Sequence, residues 1–158
     1  MKTHRIVILA VAIGSLALAG SALGAAHHAS ATTVVTTKQT SYGTILVTSS
    51  GQTLYLDSAD KAGHPACTGG CLSTWPPLKA SGTLKAAGSA KSSLLATTKI
   101  SGGAKQVTYA GHPLYTYASD SKSNPTSGQG VSGFYVVGPT GAKITKAASK
   151  PPASKPGY

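Results

Sequence analysis

Shifted by sixty residues, the chain lies on itself: ILVTSSGQTLYLDSAD, residues 45–60, falls over KQVTYAGHPLYTYASD, residues 105–120. Val47 meets Val107, Thr48 meets Thr108, Gly51 meets Gly111, Leu54-Tyr55 meets Leu114-Tyr115, and Asp60 meets Asp120. An aromatic follows each copy, Trp75 fifteen residues after the first Asp and Phe134 fourteen after the second. Two copies of one unit, each a hairpin with a loop and an aromatic, predict a small pseudo-symmetric all-β domain of two β-hairpin repeats with long loops.

Local patterns support that reading. GTILVTSSGQTLYLD, residues 43–57, places two β-prone runs around a Ser-Ser-Gly turn. LLATTKI, Gly102-Gly103 and AKQVTYAGHPLYTYA repeat the pattern, and GFYVV, GPTG and AKIT form a closing hairpin. Residues 31–38 are rich in Thr and Val and fit either a first strand or an exposed leader. No segment carries a convincing amphipathic helix. The expected organisation is a domain over 32–146, with repeat 1 at about 43–78 and repeat 2 at about 93–138. Between them, the Lys/Ala/Gly/Ser-rich residues 79–92 read as a mobile connection. Residues 147–158, rich in Lys and Pro and without periodicity, read as a disordered tail.

The chain has three carboxylates and no Glu: Asp57 and Asp60 in the first copy, Asp120 in the second. Side chains alternate faces along a strand, so Leu54 and Leu56 share one face while Tyr55 and Asp57 share the other. The Leu face is the natural core. The Tyr face is either a half-buried second layer or a binding surface made of Tyr55, Asp60, Tyr115, Tyr117 and Asp120. Two readings of the acids stay open here. An Asp just past a strand commonly caps its own turn; alternatively, the Tyr hydroxyls and the acids line one polar groove joining the repeats.

Tyr115-x-Tyr117-x-x-Asp120 matches the Tyr-x-aromatic-x-x-Asp signature, and the first copy keeps Tyr55 and Asp60 with Asp57 at the aromatic position. With GQTLYL, the CTGGC loop leading to TWPPL, KQVTYAGHPLY, and GQG before GFYVV, the chain resembles a bacterial secreted-repeat family. That family comprises predicted lipoproteins of unknown function. The resemblance spans residues 43–138. It implies location and fold rather than a chemistry.

Lys2 and Arg5, the apolar run of residues 6–18 and the small residues after it form an export signal, residues 1–31, with cleavage between 19 and 31. A run of thirteen residues is short for a membrane span. Members of the resembled family typically carry a lipidation Cys after the signal; no Cys follows the run here, so no lipid anchor is expected. The expected location is secreted or envelope-associated.

Twelve Lys against three Asp leave the remainder at +9, with the only Arg inside the signal. Lys is a hydrated point charge without the planar fork suited to bidentate recognition. Its scatter, without interleaved aromatics, argues against sequence-specific nucleic-acid binding. Attraction to anionic cell-wall polymer or an envelope surface fits better, beside mere solubility.

Cys67 and Cys71, the only cysteines, close a short Gly-containing loop, which in an exported chain predicts a disulfide. On the loop-entropy model so small a loop contributes about 2 kcal/mol. The alternative is a copper or zinc site, or a redox protein, using His64, Cys67, Cys71 and His112. Gly128-x-Gly130-x-x-Gly133 has the spacing of a dinucleotide fingerprint but lacks the strand before and the helix after, so it reads as a turn. No Ser-His-Asp arrangement stands out, and Trp75-Pro76-Pro77 offers either an aromatic platform or a buried Trp. The expectation is therefore a non-enzymatic binding or structural module with no cofactor and no identified ligand.

Overall fold

A computed structural model describes residues 31–147. Almost all of the stretch read as an export signal, and almost all of the tail, lie outside the described residues. Among the described residues, eight short strands are joined by turns, three 3-10 segments and a single helical turn. The strands are β1 (Thr32–Thr40), β2 (Gly43–Thr48), β3 (Tyr55–Asp57), β4 (Thr83–Ala86), β5 (Leu95–Lys99), β6 (Lys105–Tyr109), β7 (His112–Pro113) and β8 (Phe134–Val136), and the helical turn is α1 (Cys71–Thr74). β1 and β2 are almost wholly Thr, Val, Ile and Leu, side chains that pack well on a pleated surface.

Three small sheets result, ordered β2-β1-β4, β3-β8 and β5-β6-β7. The hairpin β1–β2 of the first unit is matched by β5–β6 of the second. The Thr/Val-rich start is a strand, not a leader. Residues 79–92 depart from expectation. They carry β4, which runs parallel to β1 through Thr32↔Thr83 to Val35↔Ala86, and Lys79 bridges Gln106. Low complexity misleads there because β4 is half exposed and its pairing rests on backbone groups, for which composition gives no signal.

The duplication is real, but its spacing is not uniform. Val35 pairs with Thr48 and Leu95 with Tyr109, so the first strands of the hairpins correspond at sixty and the second strands at sixty-one. Val107 is therefore the counterpart of Leu46, not of Val47. Each takes the amide of the following Leu on its carbonyl: Leu54 N–H donates to Leu46 at 3.1 Å, and Leu114 N–H to Val107 at 2.9 Å. The slip is undone at the next turn. Ser49-Ser50-Gly51 forms three residues of loop, whereas Ala110-Gly111 turns in two, both with positive φ (50° and 83°) as a tight hairpin turn requires.

The two units do not sit side by side; they interlock. Leu46 N–H donates to Val137 of the second unit, and Val107 N–H to Leu78 of the first, each at 2.8 Å. β3 pairs with β8, while Pro77 bridges Tyr115. At the centre Tyr55 and Tyr115 exchange both backbone hydrogen bonds, each 2.9 Å. The closing segment of each unit thus lies along the hairpin of the other.

Burial follows the interlock. One apolar cluster takes Val35, Leu46, Leu54 and Leu56 from the first unit and Val107, Tyr109, Leu114 and Val137 from the second. The other contains Ile45, Val47, Tyr55, Cys67 and Trp75 with Tyr115, Phe134 and Val136. The Leu face of β3 enters one cluster and the Tyr face the other, so both faces are core. The GPTG turn closes as expected, with Gly141 N–H on Gly138 O at 2.9 Å and Ile144 N–H on Val136 O at 2.9 Å.

Candidate functional site

The repeated motif converges on the centre of the interlock. β3 ends in Tyr55-Leu56-Asp57, and Tyr115 follows β7; their backbones pair, which sends the two phenol rings across into opposite units. Tyr55 hydroxyl donates to Asp120 Oδ2 at 2.7 Å, and Tyr115 hydroxyl to Asp60 Oδ1 at 3.3 Å. Each acid also holds its own loop. Asp60 Oδ1 accepts from Ala66 N–H at 2.6 Å, and Asp120 Oδ1 from Ser127 N–H at 2.9 Å and Ser127 Oγ at 2.8 Å. The turn reading holds, since each acid caps a loop six or seven residues long, and each also receives a Tyr from the other copy; the Tyr hydroxyls and acids do not line one shared groove. Asp57 makes the local turn, accepting from Ala59 N–H at 2.9 Å.

The ends are not equivalent. Tyr55 hydroxyl also accepts Gly128 N–H at 3.3 Å, so Asp120, Tyr55 and Ser127 are all satisfied. Asp60 Oδ2, in contrast, is buried without a hydrogen-bond partner among the described residues. Desolvation by burial, opposed by the Ala66 and Tyr115 hydrogen bonds, pushes the Asp60 carboxyl above its ordinary 3.8. Burial first, and then the neighbouring carboxylate, push both Tyr hydroxyls up, so Tyr55 and Tyr115 stay protonated donors at neutral pH.

The sign of the Asp60 shift sets a pH dependence. The native state binds this proton more tightly than the unfolded state, so its contribution is complete at low pH and is lost as pH rises through the native pKa. Asp60→Asn keeps an acceptor for Ala66 and removes the charge. Urea melts from about pH 4 to about pH 7 are expected to show the variant gaining on the parent as pH rises; a gap that is constant across that range would contradict the assignment.

Aromatic packing completes the centre. Trp75 and Phe134, the counterparts noted after each Asp, stack at 3.8 Å and 4°. Tyr117 lies on Trp75 at 4.4 Å, and Tyr55 meets its edge at 5.3 Å. Gly128 is required by this contact: a Cβ there would sit 2.8 Å from the Trp75 ring and 2.9 Å from Tyr117. The glycines that mimic a dinucleotide fingerprint thus belong to a turn pressed against aromatics.

Cys67 and Cys71 form the expected disulfide, with an S–S distance of 1.95 Å. Cys71 opens α1, and its carbonyl accepts Trp75 N–H at 2.9 Å, so the closed loop positions the stacked indole. The metal alternative is corrected here. Sulfurs bonded to each other offer no thiolates, and among the described residues no three His, Cys, Asp or Glu side chains converge on a cation. His64 is exposed and His112 half-buried, the latter close enough to Asp60 to offset a small part of the rise that burial causes.

Of the sequence-selected surface, Tyr55, Tyr115 and Trp75 are core side chains, 0%, 0% and 3% exposed. Tyr117 and Asp120 alone reach a groove of about 620 Å³, which Lys38, Gln52 and Lys122 also line. No sequence signal marked Lys38 or Lys122, and Gln52 stood in the GQTLYL stretch without being singled out, because the three come together only through the interlock.

Residues 36–79 and 96–137 each match the family described as a secreted repeat of unknown function. The chain belongs to this family. The two matched stretches coincide with the two interlocked units, and membership in the secreted-repeat family supports an extracytoplasmic location. Comparison with curated proteins and with solved structures finds no match. Among the described residues no helix is long and apolar enough to cross a membrane.

Proposed function

We propose that this secreted-repeat protein is a non-enzymatic, envelope-associated binding or structural module whose exterior engages anionic polymer. The observation that carries the reading is where the carboxylates go. All three are spent on holding the fold: Asp57 on its own turn, Asp60 and Asp120 on loop amides and on the opposite unit's Tyr. Structural duty for these acids favours a binding role over paired-carboxylate hydrolysis, with Lys, among the described residues, as the ionised residue type that meets a partner. Lys in this number gives diffuse attraction that salt screens.

Sedimentation with purified cell wall tests it. Retention is expected at low ionic strength and is expected to collapse towards about 1 M salt, where the Debye length is about 3 Å. Salt-insensitive retention, or turnover of the wall polymer that depends on Asp57 or Asp60, would overturn the reading.

A further inference from the structure

The two ends of the domain ought to look alike, and at one place they do not. At the first unit's acid, the loop after Asp60 folds back over the opposite hairpin: Gly63 N–H donates to Gly111 O at 2.8 Å, and Thr98 hydroxyl donates to Gly63 O. That loop is thus tied both to the turn at Gly111 and to β5. The corresponding place at the second unit's acid lies between the turn at Gly51 and Asp120, and it is open. There the groove of about 620 Å³ has Gly51, Gln52, Tyr117 and Asp120 on its walls. Thr98, the β5 residue that holds this loop, corresponds at sixty residues to Lys38, and Ala62 of the loop corresponds to Lys122; both lysines line the groove and both are exposed.

We propose that this groove is a binding subsite for a polyhydroxylated chain carrying anionic groups, either phosphodiester-linked polyol or polyuronate. This rests on the reading of the protein as a binder of anionic polymer, and gives that reading a location. Two ammonium groups at the groove supply charge-assisted hydrogen bonds to phosphate or carboxylate oxygens. The Gln52 amide supplies neutral donors and acceptors for hydroxyls, and the edge of Tyr117 supplies an apolar wall for a carbon backbone. Asp120 faces the same groove, but its oxygens are held by Ser127 and Tyr55, so it limits the local charge to +1 without offering a free base.

The probes are poly(glycerol phosphate), polygalacturonate and neutral dextran of matched length, titrated against the whole mature chain. Lys38→Ala/Lys122→Ala is compared with Lys85→Ala/Lys91→Ala, which makes the same charge change at exposed positions outside the groove. The expected result is binding of an anionic polymer but not of dextran, with a loss of about tenfold in the groove variant and little in the control. The tighter anionic probe names the anion. Equal losses in both variants would overturn the groove while leaving diffuse polymer binding intact. Absence of binding to both anionic probes would overturn the groove and the proposed function together. Thermal melts of both variants, expected to match the parent, exclude misfolding as the cause of any loss.

Discussion

Separated into residues 31–90 and 91–147, the chain is expected to yield two fragments that each lack a cooperative unfolding transition, and that regain one when mixed. A fragment of about 60 residues is already marginal, because it buries only about 60% of its surface even as an intact domain. Here each half also loses its partners. The first fragment keeps Leu46 and Leu54 but not Val107, Leu114 or Val137, and it keeps Tyr55 and Trp75 without Tyr115, Phe134 or Val136. β3 loses its ladder partner β8 and its backbone pairing with Tyr115, and the amide of Leu46 loses its acceptor. Two independent hairpin repeats joined by a linker would behave otherwise, each fragment folding alone. Far-UV and near-UV circular dichroism of the fragments, apart and mixed at several concentrations, separates the cases. Recovery should follow second-order kinetics, since the interlock forms only on association.

The second large effect is expected at Trp75. Replacing it with Ala removes the ring stacked on Phe134 at 3.8 Å and packed under Tyr117, in a place 3% exposed. Buried Trp→Ala changes cost about 3–5 kcal/mol, because the cavity relaxes only in part. Against a typical total of about 5–15 kcal/mol, this leaves a marginal or unfolded chain. Trp75→Phe keeps a flat ring on Phe134 and should recover most of the loss. Urea denaturation of the three proteins measures the series. Were Trp75 a surface platform, Trp75→Ala would leave the midpoint unchanged.

The sequence carried the duplication openly, since Leu54-Tyr55 and Leu114-Tyr115 stand at a fixed spacing and Gly51 and Gly111 mark the same turn. It also carried the disulfide, as the simplest reading of two cysteines closing a short loop, beside a metal alternative that the bonded sulfurs remove. What it did not carry is partner choice. Whether Leu78 returns to its own hairpin or crosses to Val107 is a tertiary outcome, and both would show the same alternation along the strand. The acids show the same boundary. A turn-capping role for Asp60 and Asp120 followed from their position just past a strand, yet the donor arriving from the other copy did not. Spacing also misled at Val47 and Val107, where a longer turn at Ser101–Gly103 and a shorter one at Ala110-Gly111 cancel in the total. Lys38 and Lys122 were invisible as a pair because they lie in different repeats and form no motif.

The reciprocal hold between repeats is tested most directly at Tyr55 and Asp120, by a double-mutant cycle of Tyr55→Phe, Asp120→Asn and both together. Tyr55→Phe takes the hydroxyl donor from Asp120 Oδ2, and Asp120→Asn removes the charge from the 2.7 Å contact; each is expected to cost about 1–2 kcal/mol. A coupling energy of about 1 kcal/mol or more in urea melts is the predicted result, as expected for residues in direct contact. Costs that add to within about 0.5 kcal/mol would mean that the two side chains act independently, and the clamp across the repeats would not exist.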